Sequence, residues 1–187
     1  WSDLTLAGQP PGSWDSNDST KSAGENILPE LDSPIVDGAA LGDVFLIYAD
    51  NQVWQMLPVA SQEVFQFRRL FNTGGAISQN CVVEVDGLHY VFGSNDLYTT
   101  DGKQTLSLVE EKNRRFIYNE LNVSLADRCF VHYAQHLKEV WFCYPSLAST
   151  VFPLAGGCNR AAVFNVSKGT MSFCDLPNVS ALTQGNI

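Results

Sequence analysis

The side chains able to do chemistry in this 187-residue chain are few, and their spacing is the first thing to weigh. His132 and His136 stand four apart, which on a helix would set two imidazoles on one face for a metal ion. Here they fall within Val131-His132-Tyr133-Ala134-Gln135-His136-Leu137-Lys138, which reads as a hairpin. The two rings then sit across a turn with no third ligand nearby, and no metal is expected. His89 lies in a strand between Leu88 and Tyr90 and reads as a histidine satisfied by ordinary hydrogen bonds.

Paired carboxylates about 5–10 Å apart would be the machinery of a glycosidase. Asp86, Asp96 and Asp101 are the candidates. Each stands in a turn next to Gly or Asn, where Asp is favoured for its hydrogen bonds to the local backbone, so a turn role is expected of all three. Glu110 and Glu111 read as solvated. Asp15, Asn17 and Ser19 alternate like the start of a calcium loop. Thr20 stands where such a loop needs glycine, however, and no glutamate follows at the twelfth position, which leaves turn capping. No G-x-S-x-G, H-E-x-x-H or phosphate-loop pattern occurs. The chain reads as a non-enzyme with no cofactor.

Five cysteines, Cys81, Cys129, Cys143, Cys158 and Cys174, form an odd set without a C-x-x-C pair. Most lie in apolar runs such as Trp141-Phe142-Cys143-Tyr144, where a reduced thiol behaves as a small buried hydrophobe, and synthesis in a reducing compartment follows. Asn17, Asn122, Asn165 and Asn178 begin glycosylation-type sequons, a pattern that arises by chance in a chain rich in Asn and Ser. The two basic doublets, Arg68-Arg69 and Arg114-Arg115, border Phe67 and Phe116. Guanidinium groups beside aromatic rings favour protein interfaces, and these four are the candidate subunit-interface residues, with a simple exposed ion pair as the plainer role.

Twenty acidic against 11 basic residues give a net charge of −9, which works against a groove that holds DNA by neutralising phosphates. The same sign suits a wall past which DNA slides, since like charges repel over about 8 Å in physiological salt. Hydrophobic residues make up 45% of the chain and charged ones 17%, a folded composition. No apolar run approaches the ~18–20 residues of a membrane-spanning helix, so no membrane anchor is expected. The chain starts at Trp1, not Met, and reads as a portion of a longer polypeptide.

The elements that must position these side chains are strands. Phe45 to Trp54 and His89 to Tyr98 are the same strand-turn-strand unit, Tyr48 answering to Phe92 and Trp54 to Tyr98, each 44 residues on. A period of about 40–50 residues built of short strands is the mark of four-stranded propeller blades, each of which needs a neighbour to cover its apolar face. The Asp86-Gly87 and Asp101-Gly102 pairs mark reversals. Residues 113–121 break the alternation and predict a short helix with Ile117 and Leu121 on one face. A third unit runs from Cys129 to Phe173, interrupted by a Gly/Ser/Pro loop from Pro145 to Asn159 of the kind that maps to the binding end of a propeller. The expected architecture is all-β: antiparallel four-stranded blades over residues 41–187, after an irregular wrapping segment, 1–40, with short strands. Three blades do not close a ring, because propellers close with about four to eight.

A set of ordered strings then carries a family resemblance. Trp1-Ser2-Asp3, Ser13-Trp14-Asp15 and Ser22-Ala23-Gly24-Glu25-Asn26 open it. Asp43-Val44-Phe45-Leu46-Ile47-Tyr48, Gln66-Phe67-Arg68-Arg69-Leu70-Phe71, Gln79-Asn80-Cys81-Val82-Val83, Arg114-Arg115-Phe116-Ile117 and Cys158-Asn159-Arg160-Ala161-Ala162-Val163 continue it. Together they resemble bacteriophage tail structural proteins: tail tube or nozzle components of short-tailed phages, also called stabilisation proteins. Leu4 to Gln9 and, apart from the Cys158–Val163 string, the region after Pro145 depart from the pattern. The resemblance implies a propeller-bearing virion subunit, made in the bacterial cytoplasm and placed in the tail. It also implies a homo-oligomeric ring, commonly of six, bound to other tail or portal and adaptor proteins, through which DNA passes without specific binding. It transfers no catalytic residues. The alternative reading is a glycan-binding or glycan-cleaving propeller acting at a host surface, and a third is a propeller serving as a general interaction platform.

Overall fold

The computed structural model describes residues 1–59 and 64–183. The alternating run Glu63-Val64-Phe65-Gln66-Phe67-Arg68 predicts a further strand in the first unit, and its first residue, Glu63, lies outside the described residues. The fold is all-β, with three four-stranded antiparallel sheets arranged like propeller blades and not closed into a barrel. The first sheet is β1 (Ile35–Leu41), β2 (Val44–Ala49), β3 (Val53–Pro58) and β4 (Phe65–Phe71), in that order across the sheet. The second is β5 (Val82–Val85), β6 (Leu88–Phe92), β7 (Leu97–Thr100) and β8 (Thr105–Ser107). The third is β9 (Phe130–Ala134), β10 (Glu139–Tyr144), β11 (Cys158–Asn165) and β12 (Thr170–Val179). Helix α1 (Glu111–Glu120) connects the second sheet to the third.

The 44-residue repeat is a repeat of register. Tyr48 pairs with Val53 and Ile47 with Trp54 in the first sheet; Phe92 pairs with Leu97 and Val91 with Tyr98 in the second. The first strands of the blades are neighbours, β1 lying against β5 and β5 against β9, so the sheets fan out from a common inner edge. Asp86 and Gly87 both have positive φ, 52° and 78°, the conformation that a two-residue hairpin needs to match strand twist.

The strand β1 crosses the boundary expected at residue 40. Its sequence, Ile-Val-Asp-Gly-Ala-Ala-Leu, lacks a clean alternation, and its place in the first sheet comes from pairing with β2 across the Gly42-Asp43 turn. The chain accordingly divides into compact units at Asp32 and Ser33. Within residues 1–32 no strand forms. Trp1 organises that unit: its Nε1 donates to Ser22 O at 2.7 Å, and its ring lies where any Cβ on Gly24 would intrude. Asp15 and Asp18 each accept from the backbone N–H two residues on, at 2.9 and 3.0 Å, which makes the Asp/Asn/Ser run a pair of side-chain turns.

One apolar core runs through all three sheets, and the repeated aromatic position is what threads it. Tyr48 of the first sheet faces His89 of the second. Its counterpart Phe92 sits edge-on to Phe142 and Tyr144 of the third sheet at 6.1 and 6.2 Å, and to Tyr118 of α1 at 6.1 Å. Tyr48, Phe92, Phe142 and Tyr144 are fully buried. Burying each such ring stabilises by about 2–3 kcal/mol, so the sheets hold one another by face-to-face contact. The third sheet carries a second apolar cluster, in which Phe130, Cys143, Cys158, Ala161, Val163 and Leu176 are the buried members and Trp141 is half-buried. Cross-strand pairing puts Phe130, Cys143 and Ala161 on the opposite side of that sheet from Val131, Phe142 and Ala162, which join the main core.

Candidate functional site

A cavity of about 500 Å³ opens at one end of the first two sheets. Five chain segments meet there: the β2–β3 turn with Asp50 and Asn51, residues 72–74 after β4, the β6–β7 turn from Gly93 to Asp96, the β8 edge at Thr105 and Ser107, and α1 at Arg114. Antiparallel topology brings them together, because β2–β3 and β6–β7 are the same connection in successive blades and the chain leaves β4 at that end.

The linker after β4 has to pass close under the first turn. Gly75 takes φ of +108°, and a Cβ there would lie 2.2 Å from Ala49 O, so glycine is required on both counts. The Tyr98 hydroxyl clamps the same residue, donating to Gly75 O and accepting from Gly75 N–H, both at 3.0 Å. Ser94 Oγ donates to Asp50 Oδ1 at 2.7 Å and ties the two turns together. Across the cavity, Arg114 of α1 grips Asp96 with two bonds, Nε to Oδ1 at 3.1 Å and Nη2 to Oδ2 at 3.3 Å. Ser107 Oγ donates to Asp96 Oδ1 at 3.0 Å and accepts from Arg114 Nη2 at 3.1 Å. The result is a rigid, polar-walled cup.

The three carboxylates singled out in sequence do not converge. Asp96 lines the cup with both oxygens held by Arg114. Asp86 and Asp101 occupy the β5–β6 and β7–β8 turns, at the other end of the second sheet. Asp101 accepts from the N–H groups of Gln104 and Lys103, which hold its carboxyl below the usual carboxylate range.

The basic doublets are likewise split. Arg114 belongs to the cup, and Arg115 pairs with Glu111 one helical turn back. Arg68 Nη2 donates to Gln55 Oε1 at 2.9 Å, while Arg69 stacks over Trp54, 6.0 Å from its centroid. The rings that border the doublets in sequence are not their partners: Phe116 receives Arg160, 5.0 Å from its centroid, and packs edge-on to Phe173. Arg160 also bridges Glu120 at 2.7 Å and Asp175 at 3.8 Å, which fastens α1 to the third sheet.

No protein-family model matches this chain, and no curated protein matches it.

His89 is wholly buried between two acceptor-capable partners, with Nε2 2.8 Å from Ala40 O and Nδ1 2.8 Å from the Tyr48 hydroxyl. A carbonyl can only accept, so Nε2 carries the proton and Nδ1 accepts from Tyr48. Burial holds the ring neutral by pushing its pKa below 6.5, against the opposing pull of the Ala40 carbonyl. His132 lies in β9 opposite Trp141, and His136 stands in the turn beyond. Among the described residues no three His, Cys, Asp or Glu side chains gather to hold a metal. The long loop between β10 and β11 is pinned by buried Asn159, whose side chain bonds Ser146 N–H at 2.6 Å, Ser146 O at 3.0 Å and Phe152 O at 2.9 Å.

Sequence reasoning reached Asp96 and Arg114 separately and missed Asp50, Asn72, Thr73 and Asn95. A usable signal was present: Asp50 and Ser94 are equivalent positions of the repeat, and Gly74-Gly75 marks a close backbone passage.

Proposed function

We propose that this chain is a structural component of a phage tail, a propeller-bearing subunit of the tube or nozzle that assembles as a ring around the DNA exit channel. Its chemistry is packing, and no catalysis is assigned to it. The observation that carries the reading is the third sheet, apolar on both faces, only one of which joins the core shared with the first two sheets. Most of that second face is already covered within the chain, but Trp141, Cys174 and Val179 stay half-buried at its edge, where a neighbouring sheet would cover them, and a chain of such blades is suited to building large closed assemblies. The ordered sequence strings support the tail assignment, and the net charge of −9 supports a channel that does not retain DNA.

Native mass spectrometry with electron microscopy of the intact protein tests it. Ring-sized oligomers, six subunits being the expected number, with an axial opening wide enough for a DNA duplex, are the supporting result. A persistent monomer at high protein concentration would overturn it, as would tight duplex binding at physiological salt.

A further inference from the structure

We propose that the cup between the first two blades is a binding site for a neutral, hydroxyl-rich ligand, a hexose or N-acetylhexosamine unit of a glycan. Its volume of about 500 Å³ is that of a small-molecule site, which typically spans ~300–1,000 Å³.

The lining selects the ligand class. Asn72, Thr73 and Asn95 project polar side chains at the cavity without hydrogen-bond partners among the described residues. Asn51 spends its carbonyl oxygen on Ser33 Oγ at 2.6 Å and keeps its amide hydrogens. Side-chain amides each offer a donor and an acceptor a short distance apart, the pattern that matches neighbouring hydroxyls of a sugar ring, themselves both donors and acceptors. Charge excludes the obvious rivals. Asp50 and Asp96 outnumber Arg114, and Arg114 is already committed to Asp96, so a phosphate or a sugar acid meets a net negative wall. A hard cation would need more convergent ligands than the described residues bring together.

The cup is also pre-organised. The Ser94–Asp50 bond, the Arg114–Asp96–Ser107 group and the Tyr98–Gly75 clamp fix its walls before any ligand arrives, which lowers the ordering cost of binding. Tyr98 is only 3% exposed and its hydroxyl is occupied, so the site has no aromatic platform for stacking. Affinity for a single sugar unit is accordingly expected to be weak, in the millimolar range.

The test is saturation-transfer NMR and calorimetry on the intact protein with glucose, galactose and N-acetylglucosamine, and with N-acetylneuraminic acid and inorganic phosphate as anionic probes. At least one neutral sugar is expected to bind in the millimolar range. Asn72→Ala combined with Asn95→Ala should weaken it at least about tenfold. Thr73→Trp, which fills the cup from an exposed position, should abolish it, and Asp101→Asn at the opposite end of the second sheet should leave it unchanged. Absence of signal from every neutral sugar at tens of millimolar would overturn the proposal. So would undiminished binding in both cup variants, or preference for either anion. Ring formation is read separately, so the two proposals stand or fall independently.

Discussion

Ser94 Oγ donates a 2.7 Å hydrogen bond to Asp50 Oδ1, and the two residues are 44 positions apart, the interval that also separates Tyr48 from Phe92. The bond therefore joins equivalent turn positions of successive blades. A repeat that sets two strands at one spacing also sets their turns at one spacing, and stacking the sheets brings those turns within reach of each other.

Removing either side of this bond should cost about 1 kcal/mol, because both residues are partly solvated and water replaces the lost partner. Denaturant titration of Ser94→Ala, Asp50→Ala and the double variant should show losses that do not add, with a coupling of about 0.5–1 kcal/mol. Strictly additive losses would mean that the contact contributes nothing to blade stacking.

His89 makes the folded state sensitive to acid. Its folded pKa lies below the unfolded value near 6.5, so the unfolded chain takes up the proton first. Its contribution to stability is complete above that value and is lost as pH falls below it. His132, also lowered by burial, adds to the same trend. Thermal melts between pH 8 and about pH 5 should show a falling Tm. The decline should be shallower in His89→Gln, whose amide does not titrate; equal slopes in the two proteins would contradict the assignment.

Gly75 and Gly87 both have positive φ, yet their surroundings differ. A methyl group on Gly87 meets nothing within 4 Å, so Gly87→Ala should cost only the conformational strain, about 1 kcal/mol. On Gly75 the same methyl would collide with Ala49 O and the Asp50 backbone, and Gly75→Ala should cost about 4 kcal/mol or prevent folding. Equal midpoints for the two variants would show that the linker under the first turn can yield.

The thiols should differ in reactivity. Cys81, Cys129, Cys143 and Cys158 are buried, and burial raises the pKa of each, to about 12 for Cys81 and Cys158. Cys174 is half-exposed. A thiol-specific reagent at neutral pH should label Cys174 first in the native protein and reach all five only on unfolding. Early labelling of Cys81 or Cys143 would show that the blades separate in solution.

Much of the architecture was legible because hairpins are local. The Asp86-Gly87 turn, the alternation through β3 and the Glu139–Tyr144 run each state their structure within a few residues, and the helix expected at 113–121 forms at Glu111–Glu120. The strand β1 was less legible. Asp37, Gly38 and two alanines give no period of two, and the strand exists because β2 offers it a ladder. The site was least legible of all. Arg114 and Asp96 drew notice for different reasons, an interface and a glycosidase, and only the fold shows that they are partners 18 residues apart.

The sequence by itself determined the hairpin strands, their local pairing and the repeat, β1 excepted, since these follow from side-chain alternation and turn chemistry over short spans. Tertiary structure alone decided which turns share an end, which carboxylate is neutralised and where a cavity opens. Those outcomes depend on how apolar sheet faces stack, and stacking joins residues whose separation along the chain carries no local signal.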